Sequence, residues 1–159
     1  MSSVEIRGLK QTQERLEKLV KDLDGPPMVQ AMKRATLMVQ RDAKKLVHVD
    51  RGLTRASIVP SVTSPRFNVI EGVVGSNRIS AAVLETGSKP HYAPFEEILR
   101  WVVRKRLATG KAALNVARRV WLKIARRGTN AYPWLRPAFE QNIRAIIDEF
   151  QRTVRRLCQ

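Results

Sequence analysis

Hydrophobic residues recur at helical spacing in two stretches near the start of the chain and in three stretches near its end. The first two stretches, residues 9–23 and 28–47, are separated by Gly25-Pro26-Pro27, which favours a turn. The later stretches run from residue 95 to about 110, from 111 to 127 and from 137 to about 157. We therefore predict five amphipathic helices, with Gly128 ending the fourth.

The middle of the chain has a strand pattern. β-Branched residues are frequent in 56–63 and 67–75, and the Ser64-Pro65-Arg66 turn between them predicts an antiparallel hairpin. Residues 80–85 fit a third strand or a short helix, residues 86–94 form a predicted loop, and residues 4–8 a predicted short strand or extended lead-in. The predicted class is α+β: two N-terminal helices, a small antiparallel β-meander, then helices including a long C-terminal helix, in a single domain over residues 1–159.

Composition narrows the function classes. The chain has 159 residues, and its 30 Lys and Arg against 14 Asp and Glu give a formal net charge of +16. Its single cysteine, Cys158, excludes an intrachain disulfide and a Cys-based zinc site. No apolar run approaches the roughly 20 residues that span a bilayer, and the N-terminus lacks a signal-peptide pattern. We expect a cytosolic protein without membrane contact.

The positive charge is concentrated in one stretch. Residues 100–136 contain eleven basic residues and no acidic residue, which accounts for two thirds of the net charge. Mixed signs would serve solubility better, so this stretch favours a binding surface for phosphates or for an acidic protein. No motif for reading bases accompanies it, so any DNA contact would be to the backbone. The predicted binding or assembly surface comprises Arg104, Lys105, Arg118, Arg119, Lys123, Arg126 and Arg127.

The sequence contains few signs of a catalytic site. The chain lacks the glycine-rich phosphate loops, the dinucleotide fingerprint and the nucleophile-elbow motif. His48, Asp50 and His91 could be combined into a metal site, but their spacing matches no established ligand pattern. The sequence therefore predicts no catalytic residue, no metal and no cofactor. A metal nuclease that uses His48, Asp50 and His91 is a distant alternative.

Three local patterns, taken in order, resemble the tail-completion (head–tail joining, or neck) protein family of long-tailed bacteriophages. The stretch Val49-Asp50-Arg51-Gly52-Leu53-Thr54-Arg55-Ala56-Ser57-Ile58 is similar to the family's P-V-D-T-G-x-L-R-x-S-I. His48 stands where the family has proline and Arg51 where it has threonine. The stretch Ala81–Ser88 (AAVLETGS) resembles Y-A-x-x-x-E-x-G-T, and Tyr132–Phe139 (YPWLRPAF) resembles P-[FW]-L-R-P-A.

The resemblance covers nearly the whole chain and assigns scaffold roles to a set of motif residues. Those residues are Asp50, Gly52, Arg55, Glu85, Gly87, Pro133, Trp134, Leu135, Arg136 and Pro137. The resemblance implies a non-enzymatic virion protein, assembled in the host cytoplasm, that forms a hexameric or dodecameric ring at the neck between the DNA-filled head and the tail. Its implied partners are other neck, connector and tail-tube proteins, with non-specific DNA backbone contact. The alternative function is a free basic nucleic-acid-binding module.

Overall fold

The computed structural model describes residues 9–23, 25–66 and 69–159, and the observed elements confirm the predicted α+β class. The predicted lead-in at residues 4–8 lies outside the described residues. The elements are α1 (Leu9–Leu23), α2 (Pro26–Leu46), α3 (Leu53–Ala56), β1 (Val59–Arg66), β2 (Val69–Gly75), α4 (Ile79–Thr86), α5 (Phe95–Arg104), α6 (Gly110–Arg127) and α7 (Leu135–Leu157).

Backbone contacts divide the chain into two compact units. Unit 1 comprises Met1–Asn77 and Leu135–Gln159, and unit 2 comprises Arg78–Trp134. Unit 2 is therefore an insertion in the chain of unit 1. The single-domain description of residues 1–159 stays a prediction.

Helix α2 is the centre of unit 1. Two prolines occupy its first turn, where a missing amide costs no helical hydrogen bond. Ala31, Ala35, Val39 and Ala43 follow each other at four-residue spacing and are buried, so they form one ridge of small side chains. This helix packs against α7 and both strands. A ridge of small residues lets neighbouring backbones approach closely.

Helix α7 buries only part of the face that its sequence predicts. The hydrophobic spacing of this helix predicts an inward face made of Phe139, Ile143, Ile146, Ile147, Phe150 and Val154. Ile146, Phe150 and Val154 are partly buried, but Phe139, Ile143 and Ile147 are 53%, 39% and 49% exposed. The small or polar residues next to them on the helix surface are buried instead; these are Ala138, Asn142, Glu149 and Thr153. The prediction fails there because Asn142 and Glu149 find partners on α2 and Thr153 donates to the Glu149 carbonyl oxygen within α7, which removes the penalty for burying them.

The hairpin is confirmed, with shifted bounds. β1 pairs antiparallel with β2, from Val59 opposite Gly75 to Arg66 opposite Val69, and the register shifts between Thr63 and Arg66. The predicted turn at residues 64–66 is therefore part of β1, because an irregular register accommodates a proline within a strand. The predicted first strand begins too early, since Ala56 belongs to helix α3.

The segment that fitted either a strand or a helix, residues 80–85, is helical and belongs to α4. The described sheet consequently has two strands, so the meander reduces to a hairpin. Helix α5 ends at Arg104, several residues before the predicted end near residue 110, and the following Arg106 has a left-handed φ of 54°. Side chains of α5 and α6 form the core of unit 2 around Ile98, Val102, Ala113 and Ala117.

Candidate interaction surface

The predicted basic residues of unit 2 are all exposed. We call the five on α6 the basic face: Arg118, Arg119, Lys123, Arg126 and Arg127. Arg104 and Lys105 lie at the end of α5 and just after it.

Helical geometry separates the basic face from the core. Ala113 and Ala117 are buried on one side of α6. At about 100° per residue, Arg118, Arg119, Lys123 and Arg126 point away from this buried side, whereas Arg127 lies closer to it. Within the part of the chain that the structure describes, none of the five forms a salt bridge. Arg126 and Arg127 lie in the last turn, where the helix dipole favours positive charge.

A pair of glycines joins the ends of two helices of unit 2. Gly87 caps α4 and Gly128 caps α6, both with left-handed φ, 76° and 72°. The next residues, Ser88 and Thr129, form an antiparallel bridge: each amide donates to the other's carbonyl oxygen, at 3.1 and 3.2 Å. Their hydroxyl oxygens lie 2.9 Å apart. We call this arrangement the cap clamp.

The second and third motifs of the resemblance meet beside the cap clamp. The backbone amide of Trp134 donates to the Glu85 carboxylate at 2.7 Å, and the Trp134 indole Nε1 donates to the Ala81 carbonyl oxygen at 3.1 Å. The amide of Tyr132 donates to the Leu84 carbonyl oxygen at 2.7 Å. Trp134 is 2% exposed, so these bonds hold a buried ring against α4. Glu85, Gly87 and Trp134 thus act together in positioning the backbone.

The other motif residues lie elsewhere. Asp50, Gly52 and Arg55 belong to unit 1, where Gly52 precedes α3 with a φ of 75°. Leu135, Arg136 and Pro137 begin α7, and Pro133 is exposed beside Trp134. The guanidinium of Arg136 donates to Glu140 at 2.9 Å, on the exposed side of α7. The third motif is therefore divided between the two units.

The residues considered for a metal site do not gather into one in the described part of the chain. His48 and Asp50 are in unit 1 and His91 is in unit 2, where its Nδ1 lies 2.9 Å from the Lys89 carbonyl oxygen. Among the described residues, no three His, Cys, Asp or Glu side chains are grouped as metal ligands. Cys158 is a free, exposed thiol near the end of the chain.

Two groups of polar contacts between α2 and α7 were not predicted. Asn142 donates to Asp42 at 2.9 Å and to the Ala138 carbonyl oxygen at 2.8 Å. Glu149, with a side chain only 9% exposed, pairs with Arg34 and with Arg152. No sequence signal marks them, because the paired residues are about a hundred positions apart.

The Asp42 carboxyl has an unusually low pKa because of its contacts. Hydrogen bonds from Arg41, then from Lys45 and Asn142, hold the pKa of the Asp42 carboxyl well below its usual value. The charged form of Asp42 therefore belongs to the folded state of unit 1.

Tyr92 was also missed as a functional candidate. It is 80% exposed, and its ring centroid lies 5.5 Å from that of Trp121. A sequence signal existed, since Tyr92 stands between Pro90 and Pro94 in the predicted loop. Trp121 itself is only partly exposed.

Comparison of the chain with known proteins reveals no relative. No family model, curated protein or solved structure matches the chain. Of the helices that the structure describes, none is both long enough and apolar enough to cross a membrane.

Proposed function

We propose that the protein is a non-enzymatic structural component of the phage head–tail interface, a ring-forming tail-completion or terminator protein that joins the tail to the DNA-filled head. The proposal begins with the three motifs and their order along the chain. Its partners would be neighbouring neck, connector and tail-tube proteins.

The observation that carries the proposal is the role of the motif residues in unit 2. The carboxylate of Glu85 holds the amide of Trp134, and Gly87 provides the left-handed turn of the cap clamp. A carboxylate that accepts a hydrogen bond from a backbone amide 49 residues away fixes the course of the chain at that point. These residues therefore support a scaffold role in assembly.

The net charge adds a requirement for this assembly. Copies carrying +16 repel one another, and an anionic partner offsets that repulsion. In a head–tail joint, the phosphates of the DNA or an acidic neighbouring ring would supply the negative charge. The basic face of α6 is the surface that we assign to that partner.

A gene disruption tests the proposal. We expect particles from a phage lacking the gene to separate into filled heads and unattached tails under the electron microscope, with joining restored by the wild-type gene. Complementation with Glu85→Ala should be impaired, whereas Arg100→Ala, which removes an exposed pair with Glu97, serves as the matched control. Normal joined virions that lack the protein would contradict the proposal.

A second candidate function is a free nucleic-acid-binding module, and the basic face favours it. Five exposed basic side chains that form no salt bridge with any described residue can neutralise phosphates without further rearrangement. Binding of the purified chain to duplex DNA should fall steeply with salt and should not depend on base sequence.

Charge reversal tests this second function. The variant Arg118→Glu/Arg119→Glu/Lys123→Glu should lower the affinity at least tenfold and make the log–log salt dependence shallower by about 2 to 3. The control Lys10→Glu/Lys18→Glu/Lys21→Glu changes the net charge equally on the exposed surface of α1. Equal losses in both variants would show that net charge alone causes binding, and would remove the role of α6.

A further inference from the structure

Tyr92 combines high exposure with a fixed position. Its ring is 80% exposed and lies against Trp121 at an interplanar angle of 40°. The loop that carries it is attached to α6, because the Trp121 indole Nε1 donates to the Ala93 carbonyl oxygen at 2.8 Å and the His91 amide donates to the Ile124 carbonyl oxygen at 3.5 Å. The prolines at 90 and 94 further restrict the loop. Unit 2 thus presents a pre-positioned aromatic ring to a partner.

The ring lies near Arg118, at one edge of the basic face. Arg118 precedes Trp121 by three residues, which places the two side chains next to each other on the surface of α6. Tyr92 contacts Trp121, so a partner that reaches the ring of Tyr92 also lies within reach of the Arg118 guanidinium. A π-surface next to an arginine-rich surface is the combination used to bind single-stranded nucleic acids, which offer both unpaired bases and phosphates.

We infer that Tyr92 is a stacking platform for an unpaired base of a single-stranded nucleic acid whose phosphates lie along the basic face of α6. The inference rests on the second function proposed above, the contact of this face with phosphates, and adds the contact with the base. A base inside an intact duplex is already stacked and cannot offer its face to Tyr92. The inference therefore names single strands, or unpaired ends, as the preferred ligand.

Charge favours this ligand over a second copy of the chain. Unit 2 contains twelve basic residues and three acidic residues, and one of those acids, Glu85, is bound to the amide of Trp134. A second copy of the chain carries the same net charge of +16, which repels this positive surface.

The experiment compares two probes on the purified full-length chain: a fluorescent single-stranded oligo(dT) and a duplex of the same length, both titrated at low salt. We expect Tyr92→Ala to lose about 5- to 100-fold in affinity for the single strand, as removal of one base–aromatic stack does. Binding to the duplex should stay within about twofold. Tyr92→Phe should bind the single strand like the wild type, because it retains the ring.

A matched control is Tyr132→Ala, since Tyr132 is the other exposed tyrosine of unit 2, at 53% exposure. It should leave both affinities unchanged, and circular dichroism should show every variant folded. The inference is overturned if Tyr92→Ala leaves single-strand binding intact, or weakens both probes equally. It is also overturned if Tyr92→Ala disrupts only assembly with a protein, which would make Tyr92 a protein contact.

The charge-reversal variant distinguishes the phosphate contact of the basic face from the base contact of Tyr92. If it abolishes binding of both probes while Tyr92→Ala has no effect, the phosphate contact stands and the stacking inference fails. If the wild-type chain binds neither probe, the second proposed function and this inference both fail, while the head–tail role is still decided by the gene disruption.

Discussion

In unit 1, charged and polar side chains join the two long helices, whereas in unit 2 they lie almost entirely outside the core. Glu149 and Asn142 of α7 are buried against Arg34 and Asp42 of α2. Unit 2 packs α5 on α6 through aliphatic residues and links α4 to α6 through backbone atoms of the cap clamp. Unit 1 therefore depends on its charged and polar contacts for stability, whereas the basic side chains of unit 2 lie exposed at its surface.

We expect the largest loss of stability from a substitution that disrupts the cap clamp of unit 2. In Gly128→Ala, the new Cβ would overlap the Ser88 carbonyl oxygen, and the left-handed φ adds strain. We expect a loss of about 3 to 5 kcal/mol in the free energy of unfolding, measured by urea denaturation. The control Gly110→Ala shares a left-handed φ of 55° but meets no atom within 4 Å. It should cost only about 1 kcal/mol; equal losses would mean that the clamp contact adds nothing.

The next effect concerns the partly buried ion pair of unit 1, in which the Glu149 side chain is buried and the Arg34 side chain is 42% exposed. Arg34→Met leaves Glu149 with only part of its partners, so we expect a loss of about 2 kcal/mol in unfolding free energy. Arg100→Met removes an exposed pair of unit 2 and should change it by less than about 0.5 kcal/mol. The double variant Arg34→Met/Glu149→Met should recover part of the loss, because no buried charge remains. Comparable losses for Arg34→Met and Arg100→Met would contradict the contrast between the units.

A third prediction concerns Glu85, an acidic residue of unit 2 whose carboxylate accepts a hydrogen bond from a backbone amide of the same unit. Glu85→Ala removes the acceptor of the Trp134 amide, and we expect a cost of about 1 to 3 kcal/mol. Glu85→Gln keeps an oxygen at that position and should cost about half as much. Urea denaturation followed by tryptophan fluorescence measures both. A Gln variant as unstable as the Ala variant would show that the negative charge, more than the hydrogen bond, matters.

The smallest expected effect is a pH dependence. The pKa of Asp42 is lower in the folded chain than the ordinary value of about 3.9, so its stabilising contribution is present above about pH 4 and is lost as the pH falls below it. Asp42→Asn should reduce the unfolding free energy by about 1 kcal/mol at pH 7. The difference from wild type should shrink at pH 2 to 3, and a difference that does not change with pH would be evidence against the assignment.

The sequence predicts the local elements well and the long-range contacts poorly. The bounds of α1 agree with the predicted residues 9–23, and Gly128 ends α6 as predicted, because periodicity and capping are local properties. The inward face of α7 was wrong at Phe139, Ile143 and Ile147, because these side chains outweigh Asn142 and Glu149 on any hydrophobicity scale. Those buried polar residues depend on partners in α2 that no local pattern reveals.

The candidate interaction surface also has features that the sequence predicts and features that it does not. A run of basic residues on one helix is visible in the sequence, and helical spacing already separates Arg118 and Lys123 from the buried Ala117. The meeting of Glu85 with Trp134, and of Tyr92 with Trp121, depends on contacts across 49 residues and within a loop whose course the sequence does not specify. Single chemical groups could be predicted, but their combination could not.

The hydrogen bond from the Trp134 indole to the Ala81 carbonyl oxygen has a consequence for how the chain could evolve. It brings the last residue of unit 2 next to the first turn of α4, so the inserted segment begins and ends at the same place. A segment closed in this way can be lengthened, exchanged or lost with little strain on the chain that precedes and follows it. Unit 2 has the geometry of an exchangeable module, in which a new surface can be acquired while the helices of unit 1 keep their pairing.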